Sequence, residues 1–159
     1  MRIEAALERD IEVILEMIRG LAEYERLSGH VTATPQLLRE NLFGPKAFAE
    51  VLLTYNESEC IGFALFFPNF STFLGRPGLF LEDLYVKPEW RGKGAGTALL
   101  REVAQIACAR GCGRVEWDVL DWNEPSIGFY KKLGAAPMDD WTRYRLTGEA
   151  LLKLGAPEK

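Results

Sequence analysis

The segment LEDLYVKPEWRGKGAGTALL, Leu81 to Leu100, constrains this chain more than any other. Leu79 to Val86 reads as a strand that carries two acids, Glu82 and Asp83, inside an apolar run. Glycines at 92, 94 and 96 then make a turn, and the pattern from about Thr97 to Arg110 reads as a helix stopped by Gly111. The flanking segments extend this unit. Ile3 to Ala6 reads as a short strand, and Asp10 can cap a helix with Ile11, Ile14, Leu15, Ile18, Leu21 and Ala22 on one face. Thr34 and Pro35 start a second helix that ends near Gly44. Ala49 to Tyr55 and Cys60 to Phe67 form a hairpin, with a loop from Pro68 to Gly78 after it. Arg114 to Leu120 reads as a strand, Pro125 to Leu133 as a helix closed by Gly134, and Arg143 to Leu146 as a last strand. A hairpin followed by strand, helix and strand means an α/β chain with a mixed sheet and helices on its faces.

The glycine turn admits three readings. A P-loop needs Gly-x-x-x-x-Gly-Lys-Ser/Thr, and no window matches. A dinucleotide fingerprint fails because Thr97 and Leu99 stand where its third glycine is required, although Asp118 lies at a suitable distance for a ribose contact. The third is a plain flexible turn. Arg91 at its entrance and the helix behind it favour an anion site. Free N–H groups and the positive end of the helix dipole face that point, and glycines admit a phosphate close to the backbone.

Charge and composition exclude several classes. A net charge of −4 gives nucleic acid or an anionic membrane no general attraction. The apolar runs are shorter than the roughly 18 residues of a membrane span. Three cysteines at no framework spacing and an N-terminus without a long apolar stretch imply reduced thiols in the cytoplasm. With His30 the only histidine, a histidine triad or multi-histidine metal site is excluded. Cys108 and Cys112 are expected as buried helix contacts, and no metal is expected. Trp117, Trp122 and the phenylalanines of FALFFPNF read as core and pocket walls.

RGKGAG resembles the Arg/Gln-x-x-Gly-x-Gly/Ala pyrophosphate motif of the GNAT superfamily of acetyl-CoA-dependent N-acetyltransferases. LAEYERL, LEDLYV, VLDWNEPSIGFYKKLGA and Trp141 resemble its diamine, polyamine and thialysine branch, and they follow in family order along nearly the whole chain. The resemblance implies a mostly antiparallel mixed sheet with a splayed parallel strand pair and helices on both faces. It implies one N-acetyltransferase domain over residues 1–154, a disordered tail over 155–159, and a homodimer. Acetyl-CoA would be the cosubstrate and a small primary amine its partner.

The resemblance also assigns residues. Leu84, Tyr85 and Val86 would offer backbone to the pantetheine arm. Arg91, Gly92, Lys93, Gly94, Ala95 and Gly96 would hold the pyrophosphate, and Asn123, Pro125 and Ser126 would flank the other wall. Glu82 stands where the family places its general base, acting directly or through water. Tyr130 stands at the position of the acid beside sulfur. Both roles suit the chemistry, since an amine of pKa near 10.4 must lose a proton and a phenol of pKa near 10 can donate one. Tyr24, Glu25 and Asp83 would draw in the amine. Strict strand alternation puts Asp83 on the face opposite Glu82. The loop before this strand is the neutral PNFSTFLG, where polyamine-acetylating members carry an acid and a tryptophan, so shorter diamines and lysine-like amines are at least as well suited. The competing reading is a non-catalytic acyl-CoA-binding or sensing module of the same fold.

Overall fold

The computed structural model describes residues 1–157, in two compact units divided between Asp118 and Val119. The first unit is built on a five-stranded sheet of order β1-β2-β3-β4-β5. Its strands are β1 (Arg2–Ala5), β2 (Glu50–Asn56), β3 (Glu59–Ser71), β4 (Arg76–Val86) and β5 (Val115–Glu116). All neighbours pair antiparallel except β4 and β5, which run parallel.

Helix α1 (Ile11–Tyr24) covers one face of the sheet. Its Ile14 and Met17 pack with Val51, Leu53, Phe63 and Tyr85, while Ile18 and Leu21 are partly buried beside them. Side chains of this size each contribute about 1.5–3 kcal/mol on full burial. Helix α3 (Ala95–Ala109) buries Leu99 and Val103 and packs on β3 and β4. Between them in sequence lies α2 (Pro35–Leu38), capped by Thr34 Oγ1 accepting from Leu37 N at 3.2 Å. It runs into a π-helical turn, Arg39–Phe43, that ends at Gly44.

The segment from Pro68 to Gly78 is mostly not a loop. β3 and β4 continue as a long hairpin to Ser71 and from Arg76, so only four residues turn. Pro68 is tolerated because it lies opposite Leu79, whose N–H points away toward Arg114 O. The missing N–H of Pro68 therefore faces the side where β2 has already ended, at Glu50 opposite Phe66. β5 is far shorter than expected, two residues rather than Arg114 to Leu120. The cysteine expectation also fails: Cys108 is exposed and Cys112 half-buried at the end of α3. Phe63 and Phe66 are core as expected, but Trp122 is exposed.

The second unit contains α4 (Glu124–Lys132) and α5 (Gly148–Leu154). No strand forms at Arg143–Leu146, because no ladder partner meets it among the described residues. Instead Trp141 is 72% and Tyr144 92% exposed, and α5 follows with Leu152 and Leu154 exposed. Of the tail, Gly155 closes α5 through its N–H to Leu151 O at 3.0 Å, and residues 158–159 lie outside the described residues.

Candidate active site

Glu82 sits in a β-bulge, and that single irregularity shapes the site. Leu65 lies opposite Asp83 and the next residue, Phe66, opposite Leu81, so Glu82 has no partner on β3. An unpaired residue shifts the alternation of its strand. Below it, Phe80 lies opposite Phe67 with ring centroids 5.4 Å apart, on the face of Leu65. Above it, Asp83 and Tyr85 lie opposite Leu65 and Phe63, on the face that α1 covers. Glu82 and Asp83 therefore share the α1 face, whereas strict alternation would have opposed them. Leu84, opposite Ala64, turns to the other face.

Glu25 joins them from the end of α1. It is the residue at which that helix stops, and the left-handed Arg26 (φ 62°) turns the chain away behind it. Asp83 is the carboxylate on which the other two act. Burial raises the Asp83 carboxyl to about 7, with further increments from Glu82 and Glu25. Burial alone raises Glu25. Acids gathered on one face favour a cation near them, and a carboxyl near 7 can both take and return a proton at neutral pH.

Beside this cluster the sheet opens. β5 pairs with β4 at Leu79–Val115 and Phe80–Glu116, so from Leu81 onward that edge of β4 has no strand beside it among the described residues. Lys87 N bonds to Ile61 O on β3 and Val86 O points the other way, which by alternation turns the main-chain groups of Leu84 and Val86 toward the open edge. Tyr85 instead directs its carbonyl to β3, where a Cβ on Gly62 would collide with it. Glu116 ties down the closed end. It accepts from Asn69 Nδ2 at 2.9 Å and pairs with Arg114 Nε at 2.8 Å, across Gly78, where a side chain would strike Asn69. These three polar residues were not singled out from sequence. Gly78 is their one signal, but it reads as the end of a loop; only inside β4 does a glycine mark a close approach.

The glycine turn leads into α3 with Gly94 as its N-cap, at φ 89°, and no side chain caps the helix. Gly92 is also left-handed at φ 74°, and both have open space where a Cβ would stand. The N–H groups of Ala95, Gly96 and Thr97 precede the first helical bond, from Ala98 N to Gly94 O. This cradle fits a pyrophosphate, and the open edge fits an extended amide-bearing arm. Lys93 Nζ lies 4.6 Å from the Trp90 ring centre. Arg91 folds back instead of extending along the loop. Its Nε donates to Val86 O at 2.9 Å and its guanidinium stacks on Tyr24, 4.1 Å from the ring centre.

In the second unit, Asn123 is buried and caps α4, its Oδ1 accepting from Ser126 N at 3.4 Å, with Pro125 in the first turn. Tyr130 lies in the last turn of α4 beside Phe129, ring centroids 5.2 Å apart. Among the described residues no group of three or more His, Cys, Asp or Glu is arranged to hold a metal ion. No helix among them is long and apolar enough to cross a membrane.

The acetyltransferase (GNAT) family matches over residues 14–135. A thialysine N-epsilon-acetyltransferase of Sus scrofa is 40% identical, covering 96% of this chain and 95% of its own length. An L-ornithine N5-acetyltransferase of Arabidopsis thaliana is 31% identical over 94% of this chain and 86% of its own. An integron cassette protein from the mobile metagenome of V. cholerae shares the fold, with a TM-score of 0.82, 25% identity and 98% of each chain covered.

Proposed function

The chain belongs to the acetyltransferase (GNAT) family and is an N-acetyltransferase, and from that premise we infer that it acetylates a primary amine of a lysine-like amino acid or short diamine. The placement of Glu82 and Asp83 on one sheet face, with Glu25 near enough to act on Asp83, carries this reading, because it makes an acidic patch for a substrate with a cationic amine. The neutral β3–β4 turn offers a long polycation no further anion. The names of the relatives, which include thialysine and ornithine acetyltransferases, agree in substrate class.

Acetyl-CoA supplies the activated acetyl group, a use implied by the family. Arg91 to Gly96 would bind its pyrophosphate, and the outward main-chain groups of Leu84 and Val86 its pantetheine arm. A backbone N–H on the same open edge can stabilise charge developing on the carbonyl oxygen. The attacking nitrogen must give up a proton, and Glu82 receives it directly or through water. Asp83 is the second reading for the base, favoured by a carboxyl held at about 7. Tyr130 as donor to the departing sulfur, and Asn123, Pro125 and Ser126 as the facing wall, rest on sequence resemblance.

The family match runs across the boundary between the two units, which supports their acting as one domain over residues 1–154. The exposed apolar side chains of the second unit, Trp141, Tyr144 and Leu152 among them, support a homodimer. A cytoplasmic location accords with three free cysteines. Thiol release from acetyl-CoA across a panel of amines tests the substrate. Thialysine, ornithine and putrescine should outperform spermine, peptides and aminoglycosides. Binding of acetyl-CoA without thiol release for any amine would leave a sensing module.

A further inference from the structure

Arg91 belongs to the glycine loop, yet its side chain is spent elsewhere. The Nε–H is fixed on Val86 O at 2.9 Å, at the end of β4. The guanidinium plane lies 4.1 Å from the Tyr24 ring centre and 5.7 Å from that of Tyr85. Tyr24 is the last residue of α1 and immediately precedes Glu25. Tyr85 lies two residues beyond Asp83 on the same face of β4. One side chain thus touches both elements that carry the amine-side carboxylates, while its backbone sits in the loop that meets the cofactor.

We infer that Arg91 is a positioning residue that couples the two substrate sites, tightening the amine site when the glycine loop is occupied. This rests on the assignment of Glu25 and Asp83 to the amine. A guanidinium has five donors in a planar fork, and only the Nε–H is needed for Val86. The outer nitrogens can meet a phosphate without breaking the stack on Tyr24. An anion held there orders Arg91 and, through the ring contact, the end of α1. Past Tyr24 the chain from Arg26 to His30 is exposed and held by local backbone bonds, Leu27 N to Ala22 O at 2.7 Å among them. The ring contact therefore ties this end of α1 to the glycine loop. A second ligand binding to an already ordered segment no longer bears that entropic cost, which is positive cooperativity without a large conformational change. Linkage makes the effect reciprocal, so the amine must tighten the cofactor by the same factor.

The test is calorimetric titration of thialysine into the protein, alone and with saturating CoA, which binds without turnover. Wild type should bind thialysine about 5–20-fold more tightly with CoA, within the usual range of such couplings. Tyr24→Phe keeps the ring and should keep that ratio. Tyr24→Leu keeps apolar contact but loses the stack, and its ratio should fall below about twofold while CoA affinity alone changes little. Arg91→Lys, which retains the charge but not the planar fork, should lose the ratio as well and serves if the leucine variant does not fold. A packing defect would weaken both titrations and leave their ratio intact. A wild-type ratio near one, or a folded Tyr24→Leu protein with the wild-type ratio, overturns the coupling. No thialysine binding under either condition would instead overturn the lysine-like substrate, and the same ratio measured with ornithine or putrescine would then decide the coupling.

Discussion

Replacing Asp83 by asparagine preserves its shape and removes its titratable group, so it measures what burial, and secondarily the two neighbouring acids, cost this carboxylate. The carboxyl is held at about 7 against a usual value of 3.8. That difference disfavours its charged form by about 4 kcal/mol. Between those two values the folded protein binds more protons than the unfolded chain, so unfolding free energy falls as pH rises through this window. Above about pH 7 the full penalty is present; below about pH 4 it is absent. Relaxation of the folded protein around the charge offsets part of it, and Asp83→Asn should therefore stabilise the protein by about 1–3 kcal/mol at pH 8 and by almost nothing at pH 4. Urea unfolding of both proteins at several pH values between these limits measures the difference. The same variant should raise KM for the amine about tenfold, the loss of one charged contact. A stability gain that does not change with pH, or a loss at pH 8, would show that Asp83 is not held buried beside its acidic neighbours.

Other expectations address the loop, the proton transfers and the assembly. Gly94→Val forces a β-branched residue into φ 89°, so it should cost about 1–2 kcal/mol of stability and weaken CoA binding strongly in calorimetry. Glu82→Gln should lower kcat about 10²–10⁴-fold near neutral pH, less if water substitutes, and recover as pH approaches the pKa of the amine, because free amine needs no base. Tyr130→Phe should lose rate without that recovery in the same pH–rate profiles. An undiminished Glu82→Gln enzyme would move the base role to Asp83 or water. Light scattering should find a dimer, and Tyr144→Asp together with Trp141→Asp should shift it toward monomer; a wild-type monomer would reject the assembly.

Much of the fold was legible because its signals are local. The apolar period of α1, the Thr34–Pro35 start of α2 and the strand, glycine turn and helix from Leu79 to Ala109 each lie within one stretch of chain, and each formed where its pattern stood. The left-handed glycine turn before α3 was legible for the same reason. Asn123 also behaved as its type predicts and capped α4.

The remaining features depend on partners far along the chain. Pro68 read as a breaker, but whether its missing N–H costs anything depends on where β2 ends, at Glu50. Arg143–Leu146 has strand composition and no ladder to join among the described residues. Arg91 reads as a phosphate ligand from its place in the loop, yet the tertiary structure lays its guanidinium on Tyr24, 67 positions earlier in the numbering. Glu82 and Asp83 show the contrast most sharply. Local pattern is enough to set two acids side by side in an apolar strand. Alternation alone would have sent them to opposite faces, because successive side chains in a strand point apart. Only the register against β3, with Leu65 and Phe66 meeting Asp83 and Leu81, left Glu82 unpaired and brought both acids to the side of Glu25. Register is a relation between two strands, so neither strand's sequence contains it alone.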